Sequence, residues 1–547
     1  MAKLYFSSLV TLSLLIAMAS GVLIAALVET GTLDLVPGLI LVVIINTVMF
    51  FVSPWFTDLM LRWVNKVEFI DDATLASRYP HVHAIVHDVA REYRFTAPDI
   101  GIIPDRNPTA FTYGIFRSKA RIVLTEGIFE YLNEEETRAV VAHELGHIVN
   151  RDFLVMTVAG MLVQLLYVIY SALTRQARQS GQRSGDRKGN NLFLVGLAAY
   201  VMYLLGTYIL LYLSRTREYL ADAFAAERVE ARHLANALVK IAYGIATTTD
   251  TEQSRELLAS TRHMGVVDFK GAEHLGLVAE AARVTPEATA NSMLFDIYNP
   301  WATFVELSST HPLTGRRIQA LGAIAAAKRQ DFQDIDVEAA ARRANVDRPA
   351  LWRKFMRELA IVAIPAAAVV LTLAIGTLTE SAVVALLALP VGALAWLFLI
   401  PVTYPMSPPA EANVVTLMGD VAASPVVGRP VHLEGEVIGR AVAGSVIGED
   451  TIFADPSGRM MVDFRSLFGP LGDMWTGWRR VAQHIGQKGE VTGWFRRGMG
   501  GHVIMSDLST TAGRLKAYPQ YAGVVVPLII FGGIAAVAGI VVFLQSL

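Results

Sequence analysis

Seven apolar runs, each almost bare of charge, constrain this chain more than any other feature. They cover about residues 8–28, 35–52, 153–173, 192–213, 359–378, 381–402 and 522–544. A helix of roughly 20 apolar residues crosses the hydrocarbon of a bilayer. Inside that hydrocarbon only a helix or a closed barrel satisfies its own backbone polar groups, so each run is predicted to be a membrane helix. These runs account for a hydrophobic content of 53% against 18% charged residues, and for a mean hydropathy of +0.43. The first run follows Lys3, but it is longer than the apolar core of a secretory signal and a second run follows closely. It therefore reads as an uncleaved anchor.

The runs divide the chain. Two transmembrane helices are expected in 1–56, a soluble stretch in 57–152, a transmembrane hairpin in 153–213 and a second soluble stretch, helical, in 214–350. A hairpin in 351–402, a β domain in 403–520 and a last transmembrane helix in 521–547 follow. In the first soluble stretch "DIGIIP", "AFTYG" and "ARIVLTE" read as strands, and two helices come after them. Asn133 with Glu136 three residues on forms a capping-box pattern, which starts the second helix at about 134 and carries it to about 150. In 403–520, "RPVHLEGEVIG", "TIFAD", "RMMVDFRS", "GQKGEVTGWFRR" and "GHVIMSDL" read as five strands with a helix between the third and fourth, the pattern of a small OB-like barrel.

Chemistry enters with "AHELGHIVNRD", which lies on the helix at 134–150. His143 and His147, at i and i+4, leave one face, so both imidazoles can reach one zinc ion at about 2 Å. Glu144 points to the side where a water on that metal would sit, and Gly146 permits close approach. A catalytic zinc needs a third protein ligand. "LSRTREYLADAFAAERV" offers Glu218 and Asp222, again i and i+4: one carboxylate can bind the metal while the other accepts the free N–H of a ligating histidine. Alternatively Glu218 pairs with Arg215 and Asp222 is a solvated helix charge. The chain has no cysteine, so no thiolate can serve as ligand or nucleophile, and no disulfide can form.

"AHELGHIVNRD", "SRTREYLADAFAA" and "THPLTGRRIQAL" together resemble the HtpX-like membrane metallopeptidases, gluzincins related to the CAAX prenyl proteases, over residues 1 to about 325. The resemblance implies a multi-pass α-helical membrane protein with a mostly α, zincin-like (α+β) peptidase domain split between 57–152 and 214–350. It implies one Zn2+ per subunit held by His143, His147 and Glu218, with Glu144 as general base and Asp222 behind the ligands. It places His311 and Arg317 near the site, His311 either steadying an oxyanion or capping a helix, and Arg317 pairing with an acidic residue of the scaffold. "DRNPTAFTYG" resembles the family's strand beside the zinc, which makes Asn107, Ala110 and Phe111 candidates for substrate contact. Here Pro108 and Thr109 separate Asn107 from Ala110 and Phe111, a departure from the family pattern.

The implied reaction is hydrolysis of peptide bonds in membrane-associated or misfolded proteins. Basic residues in "LRWVNK", "SRTR", "RPALWRKFMR" and "GRLK" place the site on the cytoplasmic side of the plasma (inner) membrane; "TRQARQSGQRSGDRKGNN", residues 174–191, with five basic residues, disagrees. The barrel and its flanking spans extend beyond the resemblance and form an added module, for which homo-oligomerisation or substrate delivery are open roles. Trp494, Phe495, Arg496 and Arg497 suggest nucleic acid, but alternating aromatic and apolar residues are what any barrel core needs, so no nucleic-acid partner is expected. A metal transporter would carry ionisable residues within its spans, and these have almost none. A catalytically silent scaffold with a structural zinc is the competing reading.

Overall fold

The computed structural model describes residues 2–30, 35–181, 187–248, 286–332, 335–441 and 448–521. The expected span at 522–544, residues 182–186 of the basic loop and residues 249–285 of the second soluble stretch lie outside them. The described residues fall into two compact units. One holds residues up to 248 and 306–332; the other holds 286–305 and 335 onward. The stretch 214–350, read from sequence as one helical part, thus contributes to both, because helical periodicity marks an apolar face without naming what it packs against.

In the first unit α1 (Ala2–Thr30), α2 (Leu35–Trp63), α7 (Asp152–Gly181) and α8 (Arg187–Arg228) are long apolar helices. Leu15 of α1 packs with Ala159 and Val163 of α7 and Leu213 of α8, and Ala26 with Ile169, Leu173 and Ala199 one layer away. Leu194, Leu197, Leu204 and Leu205 point outward, the surface a lipid solvent requires. Among the described residues, Asp152–Ala177, Phe193–Arg228 and Arg348–Leu378 are long and apolar enough to cross a membrane. Helix α8 has 42 residues, about 63 Å at 1.5 Å per residue, twice the hydrocarbon thickness. Its last turns therefore continue past the apolar segment as one rigid rod.

Between these helices lies a four-stranded sheet in the order β1 (Glu68–Ile70), β2 (Asp99–Ile103), β4 (Arg121–Thr125), β3 (Ala110–Tyr113). β2 and β4 are parallel, and the other pairs are antiparallel. β1, three residues long, gave too short a pattern to read. Helices α3 (Asp72–Arg78), α4 (Pro80–Glu92), α5 (Glu126–Tyr131) and α6 (Glu134–Asn150) complete this part. The capping box at α6 forms as expected: Glu136 N–H donates to Asn133 Oδ1 and Asn133 N–H to Glu136 Oε2, both at 2.9 Å. Arg151, at φ 57°, ends α6 in the left-handed region, and α7 starts at the next residue. α9 (Ala231–Thr248) and α10 (Thr314–Lys328) close the unit.

Gly146 is where α6 meets α8. A Cβ there would lie 3.1 Å from Ala221 Cα and 3.2 Å from Phe224 Cβ. A larger side chain must push the helices apart, so Gly146→Val is expected to cost about 1–3 kcal/mol in thermal unfolding; unchanged stability would show that the helices do not touch here.

The second unit contains α11 (Arg348–Leu378), a short helix Ala382–Leu386 and α12 (Ala388–Thr403). The second arm of this hairpin, expected as one helix over 381–402, is interrupted at Leu387. Pro390 lacks the N–H that would continue the ladder and sits within the first turn of α12, where its absence is tolerated. Beyond it β6 (Arg429–Arg440), β7 (Thr451–Asp455), β8 (Gly458–Asp463), β10 (Gly501–Thr510) and β9 (Lys488–Arg497) close into a five-stranded barrel in that spatial order, with β9 returning to β6. β8 and β10 run parallel, and a helix, Pro470–Arg479, lies between β8 and β9. Two short strands that the sequence pattern did not reveal, β5 (Ala410–Glu411) and β11 (Gly513–Lys516), extend the sheet. Val431, Leu433, Phe453, Val491, Phe495 and Val503 fill the interior. Trp494 donates from Nε1 to Pro405 O (2.8 Å), Arg496 to Thr403 O (3.0 Å), and Arg497 to Ser292 O (2.6 Å) and Met418 O. The residues that suggested nucleic acid are thus buried in contacts within the unit.

Candidate metal centre

The two imidazoles of α6 face the end of α8. His143 Nε2 and His147 Nε2 are 3.2 Å apart, and each is 3.6 Å from an oxygen of Glu218. Two nitrogens bound to one tetrahedral zinc at 2.0–2.1 Å are separated by about 3.4 Å, so the spacing suits that ion. The alternative in which Glu218 pairs with Arg215 does not occur. Arg215 Nη1 donates instead to the carbonyls of Glu306 and Ser309, both at 2.7 Å, and so ties the segment before His311 to α8.

Each imidazole has its own carboxylate behind it. His143 Nδ1 stands 3.0 Å from Asp222 Oδ1. His147 Nδ1 stands 2.6 Å from Asp152 Oδ2, the first residue of α7. Asp222 in turn receives Arg317 Nε (2.8 Å) and Nη2 (2.6 Å), a bidentate fork, and Asp152 receives Arg217. His143, Asp152, Arg217, Asp222 and Arg317 are buried, and the His147 side chain is 16% exposed. Asp152 pairs with Arg217 and Asp222 with Arg317, whose Nη1 also lies 3.7 Å from Glu218 Oε2; with both imidazoles neutral, as ligation through Nε2 requires, the four carboxylates of the site carry two more negative charges than its two guanidiniums balance. Glu218 Oε2 accepts no hydrogen bond among the described residues. Buried charge is tolerated only when paired or bound to metal, and the outstanding charge is that of a divalent cation. The residues therefore fit the zinc that the donor set implies.

Glu144 is fully buried, which raises its carboxyl pKa; the neighbouring imidazoles act in the opposite sense. Its Oε2 accepts from the hydroxyl of Thr112 on β3. His311 lies at the edge of the site, Nε2 3.7 Å from Glu218 Oε1 and Nδ1 3.0 Å from Thr310 Oγ1. The substrate candidates are placed otherwise. Strand alternation puts Thr112 and Ala110 on the α6 side of β3 and Phe111 on the other; the Phe111 ring packs with Leu61, Val67, Ile103 and Val123. Asn107 is fully buried before the strand. The side-chain amide of Asn107 has no hydrogen-bond partner among the described residues, and Ala110 is buried as well.

Thr112, Asp152 and Arg217 escaped the sequence reading as members of the site, and Arg215 entered it only as a partner for Glu218. Asp152 and Arg217 stood inside the motifs already singled out, but nothing local shows that residues so far apart meet. Asp152→Asn is expected to weaken metal binding 10–100-fold, measured by chelator competition; unchanged affinity would reduce Asp152 to an ordinary partner of Arg217. Among the described residues two other groupings of donors, Asp72 with His83 and His87, and Glu411 with His432 and Glu434, contain no buried residue, whereas His143 and Glu218 of the centre are buried.

A helical HExxH segment whose imidazoles meet a glutamate from a second helix defines a class, that of metallopeptidases, here in a chain with membrane helices. Residues 76–325 match Peptidase family M48, and the chain belongs to that family. It is 32% identical over 291 residues to "Protease HtpX homolog" of Pyrococcus furiosus, covering 53% of this chain and 87% of that protein. It is 35% identical over 193 residues to the protein of the same name from Methanothermobacter thermautotrophicus, covering 35% and 67%. Among solved structures, the crystal structure of S. mikatae Ste24p aligns over 59% of this chain and 67% of its own at 17% identity and a TM-score of 0.34.

Proposed function

We propose that the chain is a zinc-dependent endopeptidase of the membrane, cleaving membrane-associated or misfolded proteins on the cytoplasmic side. The observation that carries this reading is the convergence of His143, His147 and Glu218 at the junction of α6 and α8 with helices that continue into the bilayer. Zinc held by these three would supply a Lewis acid that polarises a carbonyl and lowers the pKa of a water.

The remaining work falls to the chain's own groups. Thr112 fixes one oxygen of Glu144, and the carboxylate takes the water's proton and passes it to the leaving amine. Asp152 and Asp222 hold the imidazoles by Nδ1, so that both Nε2 atoms face the metal position. His311, beside Glu218, is placed to donate to the oxyanion, a contribution of about 3 kcal/mol. The outer edge of β3 serves the substrate backbone. Thr125 N–H bonds to Thr109 O, so Phe111 and Tyr113 bond inward to β4, while the N–H and C=O of Ala110 and Thr112 point to the edge that pairs with no strand among the described residues. An extended peptide can pair there independently of its sequence. The barrel's ring order, with its one parallel pair, supports an OB-like assignment; its task on this reading is assembly or substrate delivery.

The direct test is zinc content with cleavage of casein by the full chain in detergent. A chelator should abolish cleavage and zinc should restore it; cleavage that survives complete metal removal would end the proposal. Because the chain has no cysteine, single cysteines introduced in 57–152 and labelled from either side of vesicles test the cytoplasmic placement.

A further inference from the structure

The helix Pro470–Arg479 of the barrel is mounted with its apolar face outward. Leu471, Met474, Trp475 and Trp478 follow the i, i+3, i+4, i+7 spacing of one stripe, and with Phe468 they are between 46% and 76% exposed. The face that meets the barrel is made of small residues, Thr476 and Gly477. The helix's one acid is turned inward, where Asp473 Oδ1 accepts from Ser466 N–H at 2.6 Å. Cations edge the stripe: Arg479 stands 5.1 Å and 4.8 Å from the ring centroids of Trp475 and Trp478, and Arg480 follows. Hydrophobic stripes of this kind normally face a protein's own core, so this one is matched to something outside it.

The barrel's attachments identify the occupant. Trp396, within the apolar helix α12, packs against Tyr404, Trp494 and Ile504, and Gly428 N–H bonds to Thr403 O (3.0 Å), so the barrel is docked on the end of a membrane-length hairpin. On leaving the barrel, Tyr518 N–H bonds to Arg465 O at 2.7 Å. The chain therefore departs beside the segment that leads into Phe468, and its sequence from 522 to 544 is an apolar run of membrane length. An apolar stripe rich in Trp and Leu, edged by Arg and free of exposed carboxylate, held next to two membrane attachments, has the chemistry of an interfacial helix.

We infer that Phe468 and the helix Pro470–Arg479 lie in the headgroup region of the bilayer that the chain's own helices cross. The apolar side chains enter the acyl boundary, and Arg479 and Arg480 meet anionic lipid phosphates. The barrel is thereby held at a fixed tilt to the membrane rather than swinging on its linker.

The chain's lack of cysteine makes the test direct. Leu471→Cys, Trp478→Cys and, as control, the exposed Glu490→Cys are labelled with an environment-sensitive fluorophore in the full-length protein. The labelled proteins are reconstituted in phosphatidylcholine–phosphatidylglycerol nanodiscs containing lipid with a quencher high on its acyl chain. Labels at 471 and 478 should be quenched roughly twofold or more relative to 490. Equal quenching at all three sites overturns the inference. So does protection of 471 and 478 from aqueous iodide without lipid quenching, which would show that a protein, a second copy included, covers the stripe.

Discussion

Replacing Glu144 with Gln is expected to leave the metal in place and to lower peptide hydrolysis by about 10²–10⁴-fold. The substitution keeps size and hydrogen bonding, including acceptance from Thr112, and removes only the ability to take a proton. The ligands His143, His147 and Glu218 are untouched, so elemental analysis should still find one zinc per chain while casein cleavage collapses. A Glu144→Gln variant that cleaves at the full rate would take the residue out of the mechanism. A variant that loses zinc would show that Glu144 is needed to hold the site together, and that the lost activity has a different cause.

The second large effect is expected from Arg317→Leu. Arg317 is 1% exposed and gives both arms of its fork to Asp222, which is equally buried and stands behind His143. Removing the guanidinium strands a carboxylate in the interior, which costs about 3–5 kcal/mol, read by thermal unfolding. His143 loses its orientation with it, and metal affinity should fall 10–100-fold. The double variant Asp222→Leu with Arg317→Leu separates the two roles: stability should return in part because no lone charge remains, while zinc affinity stays low. If affinity in the double variant is that of the unaltered chain, the pair is only scaffold.

Much of the site was legible because its geometry is local. The i and i+4 spacing of His143 and His147 and the Asn133–Glu136 cap lie on one helix, so helical periodicity alone brings the imidazoles to one face and fixes where the helix begins. The barrel strands were legible for the same reason, since alternation and turn residues are short-range signals. The surroundings of the proposed substrate-contact residues were not. Alternation could say that Phe111 and Thr112 take opposite faces, but not which face meets α6, and the resemblance pointed to the residue whose ring is in the core.

The amino-acid sequence by itself determined that this chain has membrane-length helices, a helix bearing two zinc-type ligands and a glutamate, and a β module after them, because each depends on the hydrophobicity or periodicity of one continuous segment. Only the tertiary structure decided that Glu218 faces the metal position while Asp222 backs His143, that Asp152 backs His147, and that the stripe on Pro470–Arg479 turns outward. The physical reason is separation. Arg217 reaches Asp152 across 65 positions and Arg317 reaches Asp222 across 95, and such pairings are set by how rigid helices pack, which no local pattern records.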